Sequence, residues 1–171
     1  MTLDQLNKIM PNARAKAGIF LPALNAAMAE FAINTPARQA SFLAQLAHES
    51  GQLLYVRELA SGAAYEGRKD LGNVQAGDGI RFRGRGLIQV TGRANYAACG
   101  KALGLDLLAQ PALLEQTVNA CRSAGWFWQS RGLNALADAG DQVAVTRRIN
   151  GGTNGLAERL AYFKVAQRVL A

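Results

Sequence analysis

Phe42-Leu43-Ala44-Gln45-Leu46-Ala47-His48-Glu49-Ser50-Gly51 decides how the rest of the chain is read. Leu43, Leu46 and Ala47 recur at helical spacing, which predicts a helix with one buried face. Thr35-Pro36 opens it, a capping residue followed by proline at the first helical position. Gly51 closes it, because glycine suits the place just past a helix C-terminus. Glu49 then sits at the end of a buried helix, beside the apolar stripe and facing a turn. Burial disfavours the charged form of a carboxyl, so a glutamic acid in such a place can hold a proton near neutrality and still touch a ligand. An isolated glutamate is more often a solvated charge on a helix edge, so the case rests on the rest of the chain.

The chain has 171 residues, half of them apolar, which predicts a single domain over residues 1–171. No apolar run approaches membrane-spanning length, and no integral membrane segment is expected. Met1-Thr2-Leu3-Asp4-Gln5-Leu6 has neither a basic n-region nor an apolar h-region, so the reading places the protein initially in a cytoplasm. Cys99 and Cys121 lie far apart without metal-type spacing and read as core thiols. The formal charge of +7, from 19 Lys and Arg against 12 Asp and Glu, favours a polyanionic partner: nucleic acid, anionic lipid or an anionic wall polymer.

Outward from the central stretch, Thr2-Leu3-Asp4-Gln5 reads as a capping box opening a short helix that Pro11 stops. Leu24, Ala27, Met28 and Phe31 mark an amphipathic helix before Thr35. After Gly51, residues 53–59 read as a short helix carrying a second carboxylate, Glu58. On one continuous helix Glu49 and Glu58 would lie on opposite faces, but a break at Gly51 lets the chain fold back so that both reach one cleft. Residues 60–86 are glycine-punctuated and read as a long loop, functional or disordered. Ile88 and Val90 alternate with Gln89 as in a short strand. Thr91 then caps a helix through Tyr96, Cys99 and Leu103, which Gly104 closes. Further helices are expected from Pro111 to just before Gly132, from the Asp141 cap through Ile149, and from Leu156 onward. Ile149-Asn150-Gly151-Gly152-Thr153-Asn154-Gly155 is a turn between the last two. The class is all-α, with a short β or loop segment.

Several chemistries drop out. His48 is the only histidine, and His48-Glu49-Ser50 lacks the second histidine of a zincin helix, so no metal is expected. His48 reads as an orienting side chain rather than a base. No Gly-x-Ser-x-Gly elbow and no phosphate loop are present. Arg81-Phe82-Arg83-Gly84-Arg85-Gly86 resembles a scrap of an arginine–glycine nucleic-acid segment, but a single copy with one aromatic is too little to expect nucleic acid as partner. What survives is a pair of glutamates near loops rich in Gln, Thr, Asn and Arg. Such groups bind sugar hydroxyls and N-acetyl groups, and two carboxyls are the minimum for splitting a glycosidic bond.

His48-Glu49-Ser50, Arg57-Glu58, Gly84-Arg85-Gly86-Leu87-Ile88-Gln89-Val90-Thr91-Gly92-Arg93-Ala94-Asn95-Tyr96, Ile149-Asn150-Gly151-Gly152 and Arg159 together resemble family 19 glycoside hydrolases, the chitinase-like enzymes, and most closely their phage and prophage endolysin branch. The resemblance covers about residues 20–170 and implies a lysozyme-like, two-lobed helical fold with a substrate groove. It implies that Glu49 is the general acid, Glu58 the general base, and Thr91 the hydroxyl that helps hold the attacking water. It implies that Gln89, Asn95 and Asn150 bind substrate, with His48 beside them, and that Arg159 stands near the base and keeps it ionised. The mechanism implied inverts the anomeric centre, with carboxyls roughly 6.5–9.5 Å apart. Ala94 replaces the aromatic residue of plant members, the loop between Glu58 and Gly84 is short, and the plant disulfides are missing.

Those implications set the expectations. The substrate is peptidoglycan, reached from the host bacterial cytoplasm once the membrane is permeabilised; no cofactor is needed, and the protein is a monomer. Gln89, Thr91 and Asn150 should line the same groove as Glu49, and Arg81, Arg83 and Arg85 should attract the wall polymer. The alternatives are a chitinase acting on chitin and a non-catalytic basic module that binds walls or nucleic acid.

Overall fold

Thr35 accepts a hydrogen bond from the Arg38 backbone and starts helix α3, Pro36–Glu49, with proline in its first turn. The chain around it is mainly α-helical and lysozyme-like. The computed structural model describes residues 1–171. Before α3 come α1 (Leu3–Ile9) and α2 (Ala15–Glu30), and after it α4 (Asp78–Arg81), α5 (Arg93–Leu103), α6 (Thr117–Ser130), α7 (Leu133–Asp138), α8 (Gln142–Asn150) and α9 (Leu156–Leu170). Thr2 and Gln5 cap one another at the start of α1, and Asp141 caps α8.

The central helix is more deeply set than one buried face. Every residue from Ala40 to Ala47 is buried, because α9 lies along α3 while α1 and α7 close other sides. Phe42 meets Trp128 of α6 edge to face, with ring centroids 5.3 Å apart, and both side chains are fully buried. Each such large apolar side chain contributes about 1.5–3 kcal/mol by leaving water. A second pairing, α2 on α6, is close enough that a Cβ on Gly125 would overlap the Phe31 ring.

The polar residues of α3 form a stripe of their own. Ser41, Gln45 and Glu49 recur every fourth residue and share one side of the helix. Ser41 donates to Gln142 of α8 at 2.9 Å, and Gln45 and Glu49 both accept from Arg159 of α9. Buried polar groups must find partners, so this stripe sets how α3, α8 and α9 register against one another.

Several local expectations are corrected. Residues 53–59 are not helical: the chain turns at Gly51–Leu54 and continues as an irregular segment with bends and one isolated bridge, from Arg57 to Arg85. Gly51, Gln52 and Leu53 all have left-handed backbone, with φ of 56°, 59° and 69°. A left-handed non-glycine residue costs on the order of 1–2 kcal/mol. Side-chain bonds hold this turn: Gln52 accepts from the Asn12 backbone at 2.8 Å and donates to Tyr162 at 2.9 Å, and Ser50 accepts from the Leu53 backbone at 2.8 Å.

The segment at Ile88–Val90 is no strand either. Gly86–Gln89 is a turn, closed by reciprocal Arg85 and Val90 backbone bonds of 3.2 and 2.8 Å, and Leu87, Ile88 and Val90 are all buried. Thr91 does not cap α5; its N-terminal cap is Gly92, with no side-chain bond. The helix expected from Pro111 divides into a 3₁₀ turn, Pro111–Glu115, and α6, separated at extended Gln116. That break lets Leu114 point into the core.

Residues 60–86 form an ordered loop of short helical turns tied by side chains. Asn73 donates to the Tyr65 carbonyl and accepts from the Arg93 backbone, both at 2.8 Å. Asp78, 1% exposed, accepts from the Val74 and Gln75 backbone and from Arg93. The Arg93 guanidinium and those backbone donors hold its carboxyl well below the ordinary range, at about 2.

Candidate active site

Glu49 ends α3, and its carboxylate is 22% exposed. Arg159, buried in the first turns of α9, reaches it from the far end of the chain. Its Nη2 donates to Glu49 Oε1 at 2.6 Å, Nη1 to Gln45 Oε1 at 2.5 Å, and Nε to the Asn154 carbonyl at 3.2 Å. The rigid guanidinium fork suits this three-way hold. It fixes Glu49 Oε1, while no protein donor reaches Oε2. The expected pairing is thereby corrected: Arg159 stands on Glu49, not on Glu58. The reason is the polar stripe of α3, which presents Gln45 and Glu49 together to α9.

His48 faces the other way along α9. Its Nδ1 meets the Glu158 carboxylate, and its ring lies so close to Gly155 that a Cβ there would overlap it. Asn150 ends α8 and organises the following turn, accepting from the Gly152 backbone at 2.8 Å and donating to the Asn154 carbonyl at 2.9 Å. Asn150 and Arg159 therefore share one carbonyl, and through it Asn150 is tied to the Glu49 cluster.

Glu58 belongs to a second cluster. The Glu58 backbone donates to the Gly84 carbonyl at 3.0 Å and Gly86 donates to Val56 at 2.9 Å, so the two segments run side by side. Gly84 leaves room for what lies above it: a Cβ there would stand 3.1 Å from Glu58 Oε2 and overlap the Gln89 amide. Tyr65 donates to Glu58 Oε2 at 2.9 Å. Burial, and then the adjacent Glu58 carboxylate, push the Tyr65 hydroxyl above its ordinary pKa, so it remains a donor. Glu58 Oε1 is buried and has no protein partner. An unpaired buried carboxylate oxygen is costly unless a ligand or water meets it, which marks it as a contact point for chemistry.

Gln89, Thr91 and Asn95 line one small cavity with Trp126, Phe127 and Arg131. Asn95 donates to the Thr91 carbonyl at 2.8 Å, which steadies the entry to α5. Arg131 also borders a cleft with Arg147, Arg148, Ile149 and Gly151, so the Thr91 side and the turn after Ile149 meet at that residue.

Tyr65 and Gln45 were not singled out from the sequence. Tyr65 carries no local signal, because its target is brought to it by the loop. Gln45 did carry one: its place between Ser41 and Glu49 in a four-residue polar repeat on an otherwise apolar helix. Of the three arginines expected to face a wall polymer, two are engaged internally. Arg85 is 7% exposed and binds Glu115 at 2.7 Å and Tyr96 at 3.0 Å, and Arg81 donates to the Leu108 and Ala109 carbonyls. Cys99 and Cys121 are buried and their thiols are pushed up to about 12, as befits unreactive core residues.

The fold is mainly α and lysozyme-like, with a carboxylate in each of two polar clusters, and its relatives show the class to be a glycosidase. The profile of the family described as chitinase class I matches residues 21–170. A Haemophilus influenzae protein described as a glycosyl hydrolase family 19 domain-containing protein is 32% identical, over 92% of this chain and 91% of its own length. An Arabidopsis thaliana endochitinase is 40% identical over 66% of this chain, but that match spans only 39% of the plant protein. The crystal structure of chitinase C from Streptomyces griseus superposes with a TM-score of 0.80 at 28% identity, covering 99% of this chain and 76% of that one. The chain belongs to glycoside hydrolase family 19.

Proposed function

We propose that this protein is an endolysin that hydrolyses glycosidic bonds of bacterial peptidoglycan, with Glu49 as general acid and Glu58 as general base. The observation that carries the reading is the contrast between the two carboxyls. Glu58 has one oxygen held by Tyr65 and one buried oxygen without a partner, whereas Glu49 has one oxygen clamped by Arg159 and the other free. A water on Glu58 Oε1 would lose a proton to it as it attacks the anomeric carbon. Glu49 Oε2, which meets no protein donor, would take up a proton from solvent as the glycan settles over the Arg159 pair and pass it to the departing sugar oxygen. With water entering opposite the leaving group, the configuration at that carbon inverts. Thr91 would help hold the water, while Gln89, Asn95 and Asn150 would bind the sugars, Asn150 after exchanging a turn contact for a sugar hydroxyl.

The lysis role is supported by the charge of +7, which suits an anionic wall, and by the early resemblance to phage lysins. In this reading the wall is reached from the host cytoplasm after separate permeabilisation of the membrane; no helix is long and apolar enough to cross one. A chitinase is the second reading, favoured by the plant relatives described as endochitinases. Mass spectrometry of digested peptidoglycan, run beside a chitin-oligomer digest, separates the two, because each product end identifies the bond cut. Glu49→Gln is expected to fold as wild type by circular dichroism and to lose on the order of 10²–10⁴-fold in turnover. Glycan cleavage by a folded Glu49→Gln protein at near wild-type rate would sink the assignment.

A further inference from the structure

Arg131, Arg147 and Arg148 form a cationic patch that the fold leaves without acidic partners. None of the three belongs to an ion pair. They border one cleft together with Ile149 and Gly151. Arg148 Nη1 donates to the Arg131 carbonyl at 2.9 Å, which holds the two residues together. The Arg131 guanidinium lies over the Phe127 ring, 4.2 Å from its centroid, and is fixed on that face. Burial, followed by the charge of Arg148, depresses the Arg131 pKa, so Arg131 gains from a nearby anion. All three are exposed, whereas Arg85, Arg93, Arg122 and Arg159, set deeper in the fold, face carboxylates: Glu115, Asp78, Glu30 and Glu49.

The position matters as much as the charge. Arg131 lines both this cleft and the cavity of Gln89, Thr91 and Asn95, so the cations adjoin the residues assigned to the sugars. A neutral N-acetyl-sugar polymer offers such a patch nothing to neutralise. A polymer with acidic groups projecting from its sugars does. Guanidinium groups bind carboxylates through paired, charge-assisted hydrogen bonds and suit that task better than ammonium groups.

We propose that Arg131, Arg147 and Arg148 form a carboxylate-binding subsite, which receives the acidic stem peptides of peptidoglycan and selects that polymer over neutral chitin. This rests on the glycosidase reading of the adjoining site and adds the feature of the substrate that the patch recognises. The patch belongs to specificity and takes no part in bond cleavage.

The test separates binding from cleavage. Soluble peptidoglycan strands that carry stem peptides are prepared with free carboxylates, and the same strands are prepared with those carboxylates amidated. Binding of both to wild-type protein and to the Arg147→Gln/Arg148→Gln variant is measured by calorimetry at one low ionic strength, with circular dichroism to verify folding. An Arg147→Lys/Arg148→Lys variant controls for loss of side-chain packing. Wild type is expected to bind the acidic strands on the order of 10-fold or more tightly than the amidated ones. The glutamine variant should lose that preference, and the lysine variant should keep part of it. Equal affinity of wild type for both strands, or an undiminished preference in the folded glutamine variant, overturns the subsite. Product release by wild type is read in parallel. Its absence would refute the glycosidase reading, while the binding ratio still decides the subsite.

Discussion

Arg159→Met tests the central clamp, because one side chain holds three groups. Its removal leaves the Glu49 carboxylate and Gln45 Oε1 without their donor, and the Asn154 carbonyl with Asn150 alone. Arg159 is 3% exposed, and breaking a buried ion pair from one side costs about 3–5 kcal/mol. Glu49 is 22% exposed, so water can reach it, and the cost belongs near the lower end. Even so, it is a large share of the roughly 5–15 kcal/mol that holds a typical domain folded. With a urea m-value of about 2 kcal/mol/M, a loss of about 3 kcal/mol lowers the unfolding midpoint by about 1.5 M. Turnover should fall as well, since a displacement of about 1 Å at a reacting group can cost on the order of 10²-fold. Arg159→Lys keeps the charge but not the fork, and should lie between the two proteins. The cycle with Glu49→Gln isolates the pair: the Arg159→Met penalty should shrink by about 1–2 kcal/mol once the stranded carboxylate is gone. Urea unfolding followed by circular dichroism gives all four stabilities. A penalty below about 1 kcal/mol, or the same penalty in both backgrounds, would refute the reasoning.

Three further outcomes follow from other parts of the structure. Arg93 and the backbone N–H groups of Gln75 and Val74 hold Asp78 at about 2, below its ordinary 3.8. The stabilisation is therefore complete above about pH 4 and lost as the pH falls from there toward 2, so Asp78→Asn should flatten the loss of urea stability over that window. Gly125→Ala places a Cβ inside the Phe31 ring, and the overlap should cost near the upper end of about 1–3 kcal/mol, more than the roughly 1 kcal/mol of helix propensity offsets. A calorimetric melt showing no loss of stability would remove that contact as a constraint on how α2 meets α6. Activity on intact walls should fall as salt rises, because exposed cations attract the polymer at long range. Arg85→Gln should leave that salt dependence unchanged and instead lower the melting temperature by on the order of 10 °C, since Arg85 is committed to Glu115 and Tyr96.

Much of the helical layout was legible because its signals are local. The reciprocal cap of Thr2 and Gln5, the Thr35-Pro36 start and the Asp141 cap all act within one turn, and each helix begins where those residues place it. Gly104 closes α5 in the left-handed conformation for the same reason. Where local signals competed, the tertiary contacts prevailed. Leu53 to Leu59 looks helical, yet Gln52 is held left-handed by Asn12 and Tyr162, both distant in sequence. Leu87 and Ile88 are both buried, which no two-residue alternation describes, and the result is a turn rather than a strand.

The sequence by itself determined that Glu49 would end a buried helix, that glycine would turn the chain after it, and that polar side chains would gather on the segments after Gly84 and Ile149. Those features depend on residue types and spacings a few positions apart. Which side chains would hold which carboxylate was decided only by the tertiary structure. Arg159 and Glu49 are 110 positions apart, and Arg159 reaches Glu49 rather than Glu58 because α9 packs along the side of α3 that carries Ser41, Gln45 and Glu49. Tyr65 reaches Glu58 because Asn73 and Arg93 tie the loop between them. A charged group takes the partner that packing brings within about 3 Å, and in a buried site that choice is made by helices meeting across the core, not by neighbours along the chain.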